Sequence, residues 1–404
     1  MRASRSLSLA LATALVASAG GTAWAKDKAE DSGDKISEAI SPSLGAAQTA
    51  LNKKDYPSVI TSLNTAEPLA KSPYEHFLIG TWRAISGQAL KDDAMFNTGL
   101  DEVVTSGYAK NPQTTAQFAL ISGQNAYNAK NYDKAIQRFQ LAQQLGSAEP
   151  NLNSLIAESY ISSNRAAQGL AVYDKAYTDD KAAAKPMSQD MMVRARSAAT
   201  DAKSDADVEK WSVRLVQTYP SRDMWHDLVV IYINGHPKIG YQTAVDAYRL
   251  MRATKSFKEA ATIEEYAGDL VDKLGLPGEA KAAIDEARTE GAFTTLPAGL
   301  SSLYATASGK VASDRNSLRL TAATAQAARG NGDGWLSYGE YANALNLYGQ
   351  ALAKGAPPAS LAMRIGMAKA LSGDKAGAVA SFAQVSGEEA NVANYWTVWV
   401  NRTQ

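Results

Sequence analysis

Residues of matched character return at a fixed interval of 34 along this chain, and that interval limits its folds more than any other feature. Gly123, Tyr132, Ala135, Phe139 and Ala142 are followed 34 positions later by Ala157, Ala166, Gly169, Tyr173 and Ala176, with only the tyrosine position lost. Far downstream, Gly332, Ala344, Tyr348 and Ala351 are followed at the same interval by Gly366, Ala378, Phe382 and Val385. A period of this length belongs to a helix-turn-helix unit. At 404 residues the chain exceeds the roughly 250 to 300 that one core fills, which also favours an array. Each helix pair has an apolar face it cannot cover alone. At about 25 cal/mol per Å² that face is stabilising only when a neighbouring pair removes it from water.

Small residues at these positions, with aromatics beside them, resemble the tetratricopeptide family, in which the small residues sit where paired helices cross. The stretch from Phe118 to Gly146 is the clearest copy. Weaker copies surround Ala47, Tyr56, Leu63 and Ala66, and Gly268, Ala280, Ile284 and Ala287. Another has Trp225, Leu228 and Tyr232 in its first helix; its second, with Ala244, Tyr248 and Met251, is displaced by three residues, absorbed in the loop Asn234-Gly235-His236-Pro237. Tyr74 to Ser106, Met187 to Thr218 and Ala292 to Ala328 fit only as degenerate helix pairs. The resemblance implies an all-α fold, a right-handed superhelical solenoid of antiparallel helix pairs, with each pair's first helix facing a concave groove.

Helix boundaries agree with that class. Ser72-Pro73-Tyr74-Glu75 orders an N-cap, a first-turn proline and a capping-box glutamate. Asn111-Pro112, Pro220-Ser221 and Gly275-Leu276-Pro277 are further boundaries. At the N-terminus, Arg2 and Arg5 precede an apolar run from Leu7 to Ala19 and then Ala23-Trp24-Ala25, the order of a secretory leader cleaved after Ala25. The apolar run is short for a membrane span. The expected organisation is a leader over 1–25, a flexible linker over 26–42 and an N-terminal array over 43–182. Central degenerate helices over 183–291, a C-terminal array over 292–391 and an aromatic tail over 392–404 complete it. Tyr395, Trp396, Val398 and Trp399 in that tail suit a cap over the last repeat, or, as the sharper alternative, a strand given to a partner.

Composition removes several chemistries. Lys plus Arg and Asp plus Glu both number 41, so no basic excess points to nucleic acid. There is no cysteine, which excludes disulfides, thiol nucleophiles and thiolate metal sites. Of the histidines His76, His226 and His236, none lies in a His-Glu-x-x-His pattern. Asp223 and His226 share a helix face as two metal ligands without a third. Gly309-Lys310 lacks the rest of a phosphate loop, since Tyr304 and Val311 occupy its key positions. Gly330-Asn331-Gly332-Asp333-Gly334 with Glu340 imitates part of a calcium loop, but Arg329 stands where the first carboxylate belongs, so an inter-helix turn is expected. No catalytic residue, metal or cofactor is expected.

Binding is the better prospect. Projected onto the family's geometry, Gln117, Leu120, Gln124, Tyr127 and Asn128, then Asn151, Ser154, Glu158, Ile161 and Ser162, face the groove. Their amides are suited to hydrogen-bond the backbone of an extended peptide. No cationic clamp for a peptide carboxylate is seen. Glu265, Asp269 and Asp272 form an acidic strip on the same side. The expected role is a non-enzymatic scaffold binding another protein or an extended peptide, in the periplasm of a Gram-negative bacterium. The alternatives are a regulatory subunit of an envelope polysaccharide or cell-wall enzyme complex and, more remotely, a hydrolase.

Overall fold

The computed structural model describes residues 34–402, which form twenty α-helices and no strand. The expected leader lies outside the described residues. The chain divides into two compact units, one ending at Thr178 and the other beginning at Asp179.

Unit 1 holds α1 (Ser41–Asn52), α2 (Tyr56–Ala66), α3 (Pro73–Leu90), α4 (Asp93–Thr105), α5 (Pro112–Asn128), α6 (Tyr132–Gln144), α7 (Leu152–Ser162) and most of α8 (Ala166–Ala182). Consecutive helices pair, and each pair packs on the next. The turn inside each pair has one construction: Lys54, Lys91, Lys130 and Asn164 all take left-handed backbone, with φ of 58°, 59°, 61° and 61°. After the lysines, Asp55, Asp92 and Asn131 cap the next helix, each side chain accepting a backbone N–H three residues on. Left-handed backbone ends one helix and the cap starts the next, so two or three residues reverse the chain.

Helix crossings explain the 34-residue period. A Cβ on Gly123 would lie 2.7 Å from the Phe139 ring, and one on Gly332 would lie 2.7 Å from the Tyr348 ring. Gly366 meets Phe382 in the same way. The pair α3/α4, expected to be degenerate, crosses just as tightly but backbone to backbone. A Cβ on Gly80 would lie 2.7 Å from Val103 N, and Gly87 and Gly99 leave no more room beside the backbone of Phe96 and Ala84.

The expected flexible linker over 26–42 does not extend through the described residues 34–42, which are pinned. Ile40 is fully buried, Asp34 pairs with Lys110 at 3.4 Å, and Ser37 N donates to Glu75 Oε1 at 2.8 Å. Glu75 closes the expected capping box with Ser72 and also accepts Lys71 N. Burial pushes the Glu75 carboxyl up, but its backbone N–H donors at Lys71, Ser37 and Ser72 outweigh burial and hold it at about 2.

Unit 2 holds α9 (Gln189–Asp201), α10 (Asp205–Thr218), α11 (Arg222–Gly235), α12 (Tyr241–Ala253), α13 (Ala260–Gly268), α14 (Pro277–Thr289), α15 (Ala298–Ser317), α16 (Ala325–Ser337), α17 (Tyr341–Ala353), α18 (Pro358–Leu371), α19 (Lys375–Phe382) and α20 (Ala390–Arg402). No boundary falls at 291/292: a single apolar cluster runs from Val216 to Val400. The expected turn at Gly330–Gly334 is instead the interior of α16, where Gly332 and Gly334 let Tyr348 and Leu318 approach the helix. Gly309-Lys310 likewise lies inside α15.

The aromatic tail is helical, not a strand. α20 packs on α18 and α19, as a cap should, and also returns to α10 and α12. Tyr395 and Trp396 are buried. Trp396 Nε1 donates to the Asp246 carbonyl at 3.0 Å, the Tyr395 hydroxyl donates to Glu209, and Tyr232 Oη reaches the Glu388 carbonyl at 3.1 Å. These bonds span 150, 186 and 156 residues, so α20 and the turn before it join the start of unit 2 to its end.

Candidate functional site

The first candidate surface lies on α5 and α7 of unit 1. Gln117, Asn128 and Asn151 are exposed, while Gln124, Tyr127 and Glu158 are half-buried. The Tyr127 and Ser162 hydroxyls meet at 3.3 Å, so the first helices of successive pairs bring these side chains together. Gln124 Nε2 donates to Asn128 Oδ1 at 3.3 Å on the same face. Asn151 stands at the N-cap of α7 without using its side chain as a cap. Two expected groove residues, Leu120 and Ser154, are instead buried between helices.

The face is held rigid from behind by a residue that pattern reading did not single out. Asp101 on α4 accepts Ser122 Oγ from α5 at 3.0 Å and Arg138 Nη2 from α6 at 3.1 Å, and also pairs with Lys134. Asn125 Nδ2 adds a bond to Asn97 Oδ1 at 2.8 Å. Polar residues 21 to 37 positions apart are the signal of this staple, and they carry no local periodicity.

The acidic strip of unit 2 is distorted relative to expectation. α13 passes into a π-helical turn over Asp269–Leu274, which rotates the later carboxylates away from a plain α register. Glu265 is exposed, and its Oε2 accepts a hydrogen bond from Tyr248 Oη at 2.6 Å. Asp269 is half-buried, and its carboxyl is pushed up, first by burial and then by Glu265 and Asp272, against the pull of Lys273. The three acids therefore lie near one another, and Asp272 is exposed.

Beside them is a charge network that reading of the amphipathic pattern missed. Arg249 is buried; its Nε and Nη2 grip Glu279 at 2.8 and 2.6 Å, and its Nη1 reaches Asp246 Oδ1 at 2.8 Å. Tyr266 Oη donates to Glu279 at 2.6 Å. Arg252 holds Glu286 with two bonds of 2.6 and 2.7 Å. Arg364 holds Asp333 at 3.0 Å. Burial pushes Glu279 up, yet Arg249 and Arg252 more than offset it and keep its carboxyl below the ordinary value. A cavity of about 680 Å³ opens beside this network, and Arg252, Glu286, Glu290, Leu336, Tyr341 and Met367 are among its lining residues.

A second cavity of unit 2, about 780 Å³, is lined by Arg196, Glu209, His226, Asp227 and His236. The pairing of Asp223 with His226 as metal ligands is not what the side chains do. Asp223 binds Lys258 Nζ at 2.6 Å, and His226 Nδ1 lies 3.0 Å from the Ser256 carbonyl. Among the described residues no group of three or more His, Asp or Glu side chains could hold a metal ion. No helix there is long and apolar enough to cross a membrane.

No family model matches the chain, and no curated protein matches it. Among solved structures it is similar to a chain of the APC/C Cut9–Hcn1 hetero-tetramer, with 10% identity over 91% of each chain and a TM-score of 0.20. The fold rests on the chain's own geometry and not on that likeness. Antiparallel pairs, crossings of small residues on aromatics at Gly123, Gly332 and Gly366, and the 34-residue spacing make this a tetratricopeptide-like, all-α repeat fold.

Proposed function

We propose that the chain is a non-enzymatic scaffold of the cell envelope that binds a protein or an extended peptide across the α5/α7 face of unit 1. One observation carries this reading. Tyr127 and Ser162 join adjacent first helices, and exposed or half-buried amides at Gln117, Gln124, Asn128 and Asn151 extend along the same two helices. Amides both donate and accept, which suits a peptide backbone. The asparagines and glutamines sit on helices whose opposite sides are fixed by packing and by Asp101, so little ordering entropy is lost on binding. The envelope assignment rests on the leader-like order of Arg2, Arg5, the apolar run and Ala23-Trp24-Ala25.

A photo-crosslinking amino acid placed at Asn128 in living cells tests this directly, with the same group at Gln137 on the exposed side of α6 as control. A discrete adduct from position 128, absent from 137 and lost when Tyr127→Ala is added, is the expected result. Equal labelling at both positions, or an adduct indifferent to Tyr127→Ala in a protein of unchanged helicity, contradicts the proposal.

A further inference from the structure

One buried guanidinium in unit 2 serves two buried carboxylates. Arg249 gives two N–H groups to Glu279 and one to Asp246 Oδ1, which also accepts Gln242 Nε2 at 3.1 Å. Asp246 is fully buried, and its Oδ2 has no hydrogen-bond partner. Its backbone carbonyl is the acceptor for Trp396 Nε1, so the residue with the orphan oxygen is also an anchor of α20.

We propose that closure of unit 2 by α20 is coupled to uptake of one proton at Asp246, so that the C-terminal helix is held more tightly on acidification and loosens as the pH rises. An orphan carboxylate oxygen in a dry site costs far more than an orphan neutral carboxyl oxygen, which favours the protonated form whenever α20 excludes water. The other groups facing Asp246 do not remove this cost. Arg364, on α18, is already committed to Asp333. Glu279, on α14, takes the bidentate edge of Arg249 and the Tyr266 hydroxyl. Glu389, in the turn before α20, is a further acid near Asp246, and its own carboxyl is pushed up by burial first and then by Asp246. Burial likewise pushes the Asp246 carboxyl up, against Arg249 and Arg364.

With α20 detached, Asp246 is hydrated and ionises at the ordinary carboxylate value; with α20 in place it holds its proton to higher pH. The closed form therefore binds more protons, and closure weakens between the ordinary and the raised value, by up to about tenfold per pH unit. Hydrogen exchange of the 390–402 segment in the full chain, from pH 5 to pH 8 and normalised to intrinsic rates and to the α5 segment, measures this. The expected result is an open population of α20 that grows with pH. In Asp246→Asn, a neutral isostere, the pH slope disappears and α20 at pH 8 is as protected as in the wild type at pH 5. A flat wild-type series overturns the proposal, as does a slope that persists in Asp246→Asn. An Asp246→Asn protein that loosens α20 at every pH, or fails to fold, shows that the charge is required and also overturns it.

Discussion

Helices α6 and α12 occupy the same place in their repeats, with Ala135, Phe139 and Ala142 matched by Ala244, Tyr248 and Met251. On α6 the side chains between these positions remain near solvent: Gln137 and Gln143 are exposed, and Gln140 bonds Tyr160 Oη at 3.2 Å. On α12 the matching residues are Asp246, Arg249 and Arg252, of which the first two are buried beneath later helices of the same unit. The helical hairpin is the same in both units, and the difference lies in what covers its outer side. In unit 1 helix-to-helix bonds run between a pair and its neighbour, as in a stack whose stability is a sum of local terms. In unit 2 α20 binds Glu209 and the Asp246 carbonyl, and the turn before it binds Tyr232. That converts a nearest-neighbour stack into a unit with long-range closure, and the charges so covered must find partners in one another.

The sharpest way to break this comparison is Trp396→Ala. Losing a fully buried indole together with its bond to Asp246 should cost about 3 to 5 kcal/mol of unit 2 stability. Denaturant unfolding followed by hydrogen exchange should show the loss in α10 to α12 as well as in α18 and α19, and none in α1 to α6. A loss confined to α19 would make α20 an ordinary end cap.

A somewhat smaller effect of opposite pH sense belongs to unit 1. Glu75, held at about 2 by backbone donors, contributes roughly 3 kcal/mol. Because its value is depressed on folding, the contribution is complete above the ordinary glutamate range and is lost as the pH falls toward about 2. Glu75→Gln should therefore remove most of the acid-induced loosening of α1 to α3 seen by hydrogen exchange between pH 5 and pH 3. Unchanged acid sensitivity in that variant would place the titration elsewhere.

What could be read beforehand follows from how local each signal is. The crossing of Gly123 on Phe139 lies within 16 residues and repeats, so it showed in the sequence as a period. The α3/α4 crossing is as tight, but Gly80, Gly87 and Gly99 meet backbone, without the aromatic partner that marks the family pattern. Gly332 and Gly334 suggested a turn because glycine both breaks helices and permits close approach, and only the partner, Tyr348 or Leu318, decides between the two. Lys54-Asp55, Lys91-Asp92 and Lys130-Asn131 each pair a left-handed residue with an N-cap and mark three hairpin turns, a local sign independent of the 34-residue period. The meeting of Tyr127 with Ser162 was accessible by projection because it depends on neighbouring repeats alone. The network of Asp246, Arg249 and Glu279 was not, since on α12 those charges look like an ordinary solvated outer side until helices more than 100 residues later cover them.

The most direct test is native-state hydrogen exchange along the unaltered chain at increasing denaturant. The expected result is graded opening in unit 1, pair by pair from α1, and a shared opening free energy for α10, α12 and α20 in unit 2. At pH 5, where α20 is held most tightly, separate opening of α20 ahead of α10 and α12 would contradict closure of unit 2 by its last helix.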